Sequence, residues 1–535
     1  MSQTENFKQQ MSEGYTFDGP VIKIGAAMLE GEVQTGSIVN LPVKMFNRHG
    51  LIAGATGTGK TKTVQILAEQ LSELGIPSML IDIKGDLSGV AKPGEANPKL
   101  SERHTKIGIE DFAPGESPIE FLTISSEPGV KMRATVHEFG PVLFAKILGL
   151  NDTQTGIYSV IFKYCTDNDL QLLDFSDVKE ALKFSMSDEG NAEIAKEYGK
   201  ISPSSIGVIL RQLAALEEQG AQTFFGEPSF EVHDLMKTRG GKGVVNILRV
   251  TDIQSKPKFF STFMLQLLAE MYETLPEEGD IEKPKFVMFI DEAHLIFSKD
   301  TPKVLAEQLE VMVRLIRSKG VGIFFITQNP ADIDDSVLGQ LGLKIQHALR
   351  AFTAKDRKAI KAAAQNYPET DFYNVEQMIT ELGIGEAFVT ALSEKGNPTP
   401  LAHTYMRAPK SRMGVLEQSE MDAIINEDVS GLIGKYKEDV DPESASEKLK
   451  AKMQAYEDKQ NEAEEAKEQE KLQKEQEKIE DKRAKEEAKE QAKSDDQKSD
   501  VMGKVGKEVG KGFLNAAIGF GLRAAGVKTR RRKFF

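Results

Sequence analysis

Cysteine is almost missing from this chain: Cys165 is the single one among 535 residues. No internal disulfide can form, which fits a reducing cytoplasm, and a lone thiol beside Tyr164 reads as a small buried hydrophobe before it reads as a nucleophile. The seven histidines are scattered and show no Cys/His metal spacing. No apolar run reaches the roughly 18 residues that a membrane-spanning helix needs. The opening MSQTENFKQQ has no apolar core, so no signal peptide is expected there. Basic charge is also in deficit. A formal net charge of −14 excludes a surface that attracts nucleic acid everywhere, although the acid is unevenly spread and leaves room for a local basic channel. The expectation is a soluble, cytoplasmic protein of two or three domains.

Against these absences stands one complete motif, Gly54-Ala-Thr-Gly-Thr-Gly-Lys60-Thr61. It follows the apolar run Leu51-Ile52-Ala53 and opens onto a helical pattern through Val64, Leu67, Leu71 and Leu74, the strand–loop–helix context of a phosphate-binding loop. Glycines let backbone N–H groups curl around a polyphosphate. Lys60 brings a point charge to the β/γ-phosphates, and Thr61 offers its hydroxyl to Mg²⁺. Gly54, Thr56, Gly57, Thr58, Gly59, Lys60, Thr61 and the adjoining Lys62 are therefore the candidate nucleotide-binding residues.

Far downstream, the buried-strand run Lys285-Phe-Val-Met-Phe-Ile290 delivers Asp291-Glu292-Ala293-His294. Asp291 can reach the Mg²⁺ shell, and Glu292 can deprotonate an attacking water, which implies hydrolysis as well as binding. Taken alone, the same two carboxylates could cap a following helix. Gln328 ends the next strand run; it reads either as a sensor of the γ-phosphate or as a polar strand end entering an Asn-Pro turn. Asp82, with Asp86 as a weaker candidate, could position water or Mg²⁺, or Asp82 could cap the turn through Lys84-Gly85. Arg314 and Arg317 share a helix side between the two strands. Either could stabilise phosphoryl charge across a subunit boundary, or both could be surface charges; Arg350 is a further arginine of this kind.

The βαβ rhythm predicts an α/β fold, a mainly parallel sheet of the RecA-like type with its ligand site at the strand C-termini. Residues 1–45 read as a short β element. The ATPase core occupies 46–135 and 241–410, interrupted by a helical insertion at 136–240. Residues 411–500 read as linker and charged helix, with Glu470/Lys474 and Asp481/Lys485 at i,i+4 spacing. Residues 501–535 form a tail with seven glycines and the basic run Lys528-Thr-Arg-Arg-Arg-Lys533, which could dock on the protein, touch an anionic membrane or hold nucleic acid.

The segments Gly54–Thr61, Ile81-Asp-Ile-Lys-Gly-Asp-Leu87, Phe289-Ile-Asp-Glu-Ala-His294, Arg317-Ser-Lys-Gly-Val-Gly322 and Thr327-Gln-Asn-Pro-Ala-Asp-Ile333 together resemble the HerA/FtsK superfamily of ring ATPases. Over residues 10–410 and the basic tail the chain is similar, more narrowly, to bacterial HerA-like proteins of the YjgR type, with a particularly close match in the string Gln340-Leu-Gly-Leu-Lys-Ile-Gln-His-Ala-Leu-Arg-Ala-Phe-Thr353. The resemblance implies a RecA-like core, ATP with Mg²⁺, and a homohexamer that pumps double-stranded DNA through a central channel. By motif position it implies Lys60 and Thr61 on phosphate and Mg²⁺, and Asp291 on Mg²⁺. Glu292 would be the catalytic base, Gln328 the sensor, and Arg317 the finger reaching a neighbour's ATP. HerA itself carries an N-terminal barrel that docks a nuclease; residues 1–45 are too short for one, so a nuclease partner is not carried over.

Three competing functions are weighed against this. An RNA helicase of the DEAH-box kind needs a second RecA-like domain, for which the residues after 405 leave no room. An ATPase driving protein secretion or complex assembly would suit the acidic balance and a membrane-seeking tail. A nucleotide-ordered scaffold is opposed by an intact Glu292. The phosphate loop reads phosphates and does not by itself select ATP over GTP.

Overall fold

The computed structural model describes residues 2–502 apart from 111, 254–255, 280, 298–302, 352, 439 and 441. The basic tail from 503 onward lies outside the described residues. The chain divides into two compact units after Gln454.

Twelve strands of the first unit form one sheet. From edge to edge the order is Glu32–Pro42, Val21–Leu29, Ala402–Met406, Glu386–Thr390, Leu343–Gln346, Gly50–Ala53, Val321–Thr327, Phe286–Ile290, Ser78–Asp82, Val245–Arg249, Ile119–Thr123 and Val130–Lys131. Neighbours are parallel from Leu343–Gln346 onward and antiparallel before it. Strands buried on both faces need apolar residues at every position, and Phe286–Ile290 and Val321–Thr327 are buried throughout. Successive side chains alternate between the two cores: Met288 and Ile290 join one, Val287 and Phe289 the other. The strand before the phosphate loop and the strand before Asp291 are not neighbours, because Val321–Thr327 lies between them. This order is that of a RecA-like core, and it gathers three strand C-termini at one place.

The N-terminal β element differs from a free-standing unit. Its two strands extend the large sheet, with Ala26 opposite Tyr405. A helix that the sequence reading did not anticipate, Gln3–Gly14, precedes it and buries Phe7 and Met11; its N-terminus is a capping box between Ser2 and Glu5. Between Val130–Lys131 and Val245–Arg249 come five helices: Val136–Leu148, Asp152–Asp167, Phe175–Met186, Asp188–Tyr198 and Pro203–Glu217. Side-chain caps at Thr135, Asn151 and Asp174 start three of them, and Phe144, Phe175 and Phe225 pack at their centre. Cys165 is buried there, and burial pushes its thiol up to about 12, so it stays protonated.

Residues 411–449 correct the expectation of a linker. Leu416, Leu432, Tyr436, Ala445 and Leu449 are buried, and Lys435 and Tyr436 bond Asp234 at 2.9 and 2.6 Å. The segment 410–416 runs back along the phosphate-loop helix Lys60–Glu73: the buried Glu69 carboxylate accepts the Lys410 amide at 2.9 Å and the Ser411 amide at 3.1 Å. The last described helix is Ala445–Met502. Past Gln454 its described side chains are almost all exposed, and Glu470–Lys474 and Asp481–Lys485 pair at 2.5 and 2.8 Å. Exposed i,i+4 pairs contribute about 0.3–0.5 kcal/mol each, so such a helix rests on propensity and charge pairing instead of on a core. No helix among the described residues is long and apolar enough to cross a membrane.

Candidate nucleotide site

The phosphate loop leaves the strand Gly50–Ala53 and ends at Gly59, the N-cap of the helix Lys60–Glu73. Gly57 and Gly59 have φ of 78° and 123°, which side-chain-bearing residues rarely adopt, so the loop needs glycine at both. Lys60 is 7% exposed and lies across the loop, its ammonium donating to the carbonyls of Gly54 (2.6 Å) and Ala55 (3.1 Å). Burial, then the nearby Lys84, holds its pKa below that of an ordinary lysine. The Thr58 hydroxyl closes the loop on the Ala55 carbonyl at 2.8 Å. Thr61 donates its hydroxyl to Asp86 at 3.1 Å, and the second Asp86 carboxylate oxygen is buried without a partner. Thr56 and Gly57 are the exposed tip.

Asp291 and Glu292 leave the strand Phe286–Ile290 two strands away. Burial pushes Asp291 up to about 6, with Lys84 opposing the shift and Glu292 adding to it. Glu292 is 2% exposed and holds a left-handed backbone (φ 47°), a costly conformation for a non-glycine residue that its surroundings must enforce. Its carboxylate is enclosed by three groups. Gln328 Nε2 donates at 3.2 and 3.4 Å, His294 Nδ1 lies 3.0 Å away, and the Lys84 ammonium forms an ion pair. Burial alone would raise the Glu292 pKa; the bond and charge of Lys84, with Gln328, outweigh it and hold the group below the usual carboxylate range.

Lys60, Thr61, Asp291, Glu292 and Gln328 thus occupy the C-terminal ends of parallel strands in one sheet. Of the other expected residues, Asp82, Lys62, Arg314 and Arg317 do not join them. Asp82 braces its own turn: its carboxylate accepts the amides of Gly85 (2.7 Å), Asp86 (3.1 Å) and Leu87 (3.1 Å), so both of its oxygens are engaged there. Lys62 donates to the Met413 carbonyl, toward the returning segment. Arg314 pairs with Glu310 at 3.1 Å on an exposed helix surface. Arg317 precedes the strand Val321–Thr327, whereas Gln328 follows it, so seven strand residues at roughly 3.3 Å each, about 23 Å, separate the two. Arg350 is on the site's side, lining with Thr56, Gln328 and Asn329 a cavity of about 360 Å³.

Two contributors were missed. Lys84 was read only as part of a turn. His347 falls within the string Gln340–Thr353 and carries no site role in the sequence, yet it is fully buried beneath the loop. Its Nδ1–H donates to the Glu386 carbonyl at 2.9 Å, and Nε2 accepts the Thr63 hydroxyl at 2.9 Å. Burial pushes its pKa down to about 4, so the ring is neutral. A Cβ on Gly54 would come within 2.6 Å of His347 Cβ, so loop and imidazole are fitted to each other.

Glycine loop, buried lysine, acidic strand end and an intervening strand ending in an amide define a P-loop ATPase core. The family described as Helicase HerA-like C-terminal matches residues 28–523, and the chain belongs to this HerA-like family. The chain is 23% identical over 370 residues to the DNA double-strand break repair helicase HerA of Saccharolobus solfataricus, an alignment covering 67% of this chain and 66% of the relative. It is 21% identical over 401 residues to the protein of the same name from Pyrococcus furiosus, covering 71% and 69%. The chain spans about two thirds of the length of the curated relatives it matches. Among solved structures, the conjugative coupling protein TrwB aligns with TM-score 0.49 at 14% identity over 76% of this chain and 94% of its own. VirB4 of Thermoanaerobacter pseudethanolicus aligns with TM-score 0.46 at 16% identity over 76% and 100%.

Proposed function

We propose that this chain hydrolyses ATP and uses the energy to move along double-stranded DNA as a homohexameric ring motor. The observation that carries the hydrolytic part is the Glu292 carboxylate, ionised, buried and bonded to Gln328, on the same edge of the sheet as the phosphate loop. A loop that only bound nucleotide would not need a base held in a strained backbone conformation beside it. The DNA part rests on membership of the HerA-like family and on relatives named as DNA double-strand break repair helicases.

The residues fit a magnesium–triphosphate substrate. The loop amides and Lys60 supply donors and positive charge, and Thr61, Asp291 and the unpartnered oxygen of Asp86 supply the hard oxygen atoms that Mg²⁺ takes. Bound there, Mg²⁺ would neutralise and orient phosphate oxygens. Lys60 turns from the loop carbonyls to the phosphates. Glu292 accepts the proton of the attacking water, which Gln328 orients from the adjoining strand end. Arg317, which stands beyond reach of its own site, serves the site of the next copy. Gly54, Thr56, Gly57, Thr58 and Gly59 shape the cradle; Lys62 and Asp82 brace its surroundings. The proposed setting is the cytoplasm, with the finer kinship to YjgR-type proteins carried by residues 340–353.

Steady-state ATP hydrolysis with and without double-stranded DNA, over a salt series and beside E292Q, tests this reading. A DNA-directed motor is stimulated by DNA, loses that stimulation as salt rises, and is silenced by the substitution. Turnover that depends on Glu292 but ignores DNA would favour a protein-directed or assembly ATPase.

A further inference from the structure

We propose that Lys84 is a positioning residue for the base: from the turn after the neighbouring strand it fixes the Glu292 carboxylate in place beside Gln328. The inference rests on the hydrolytic reading above and names a residue which that reading does not use.

The geometry begins with strand register. Ser78–Asp82 and Phe286–Ile290 are parallel neighbours with Ile81 opposite Ile290, so Asp82 stands level with Asp291, and the residues that follow both emerge on one edge. On one side the chain turns immediately, because Asp82 binds three successive amides of that turn. Held by these bonds, the turn projects Lys84 across the gap to Glu292, where the two side chains form an ion pair. The pair is lopsided in exposure: the Lys84 side chain is 34% exposed and that of Glu292 3%. A carboxylate so enclosed needs a fixed partner, and removing one member of a buried pair leaves the other uncompensated. Of the groups bonded to Glu292, Gln328 is neutral and His294 belongs to the same short segment. Lys84 is the one permanent cation, and it comes from a different strand. Its other charged neighbours Asp291 and Asp86 are acidic, and Lys60 bonds the loop carbonyls, so among the described residues Lys84 is the one lysine or arginine paired with the Glu292 carboxylate.

The role predicts a specific kinetic pattern. Lys84 acts through Glu292 and not on the nucleotide, so K84A should lower kcat about 10- to 100-fold while the affinity for a fluorescent ADP analogue stays within about twofold. K84R, which can restore a charged bond, should recover part of the loss. In an E292Q background the K84A change should have no further effect on turnover, because the group it positions is already gone. K84M keeps the aliphatic stem, and thermal melting of both variants reports folding independently. Unchanged or raised turnover in folded K84A would overturn the proposal, as would weakened nucleotide binding in K84A/E292Q, which would make Lys84 a phosphate contact. Wild-type protein that binds nucleotide but never hydrolyses it would instead overturn the hydrolytic reading, and this proposal with it.

Discussion

At the C-terminal ends of the central strands the chain brings together Lys60, Thr61, Lys84, Asp291, Glu292 and Gln328; at the N-terminal end of one of those strands stands Arg317. The first region is enclosed, and its groups are bonded to one another: Lys60 to the loop, Thr61 to Asp86, Glu292 to Lys84 and Gln328. The second is exposed, and its charge is felt by His49, a buried imidazole whose pKa burial pushes down to about 4, with Arg317 adding to the shift. On the proposed reading, one end binds a triphosphate and activates water, and Arg317, which lies a full strand length from that nucleotide, completes the site of the next copy where copies of the chain meet end to end.

Breaking the comparison at its exposed end should have the largest effect. R317A is expected to lower kcat by about 10³-fold or more, the scale of arginine fingers, with nucleotide affinity preserved. R350A, on the site's own side, should cost less; the reverse ranking in steady-state assays would move the finger to Arg350. At the enclosed end, E292Q should lower kcat by about 10²–10⁴-fold while keeping nucleotide bound, whereas K60A should lose binding as well; equilibrium titration with labelled nucleotide separates them.

A smaller effect sharpens the account of how the loop is held. H347A removes the partner of the Thr63 hydroxyl and opens space beneath Gly54, so it should cost about 1–3 kcal/mol of stability and weaken nucleotide binding, read by denaturant unfolding and titration. The smallest concerns Glu69. Burial pushes its carboxyl up from 4.5 to about 7, against the opposing pull of the Lys410 amide and Arg407. A raised acid pKa means that the folded chain holds a proton that the unfolded chain has released. Stability from this group is therefore full below about 4.5 and declines as pH rises toward about 7. E69Q should flatten that decline in melting temperature measured across the window; an unchanged slope would remove Glu69 as its source.

How legible this was in the sequence follows the same division between local and distant causes. The phosphate loop and the Asp291-Glu292 strand end are contiguous patterns, each an apolar run followed at once by its chemistry. Gln328 was legible for the same reason. Lys84 was not, because its role depends on Ser78–Asp82 lying beside Phe286–Ile290, and strand order is not written in either segment. Asp82 was ambiguous from sequence since a strand-end aspartate serves a ligand or a turn equally well; three short amide bonds decide for the turn. Residues 411–449 read as linker because their anchors, Glu69, Asp177 and Asp234, lie hundreds of positions earlier. The helix Gln3–Gly14 could have been found: Ser2 and Glu5 form a capping box, and Phe7 and Met11 fall at i,i+4.

The most direct test of a site shared between copies is to mix two impaired variants, R317A and E292Q, and measure ATP hydrolysis. Where an R317A copy meets an E292Q neighbour, its intact Glu292 faces the neighbour's intact Arg317, so the mixture should turn over well above either variant alone. Turnover no greater than the average of the separate variants, in a mixture shown to co-assemble, would contradict the account.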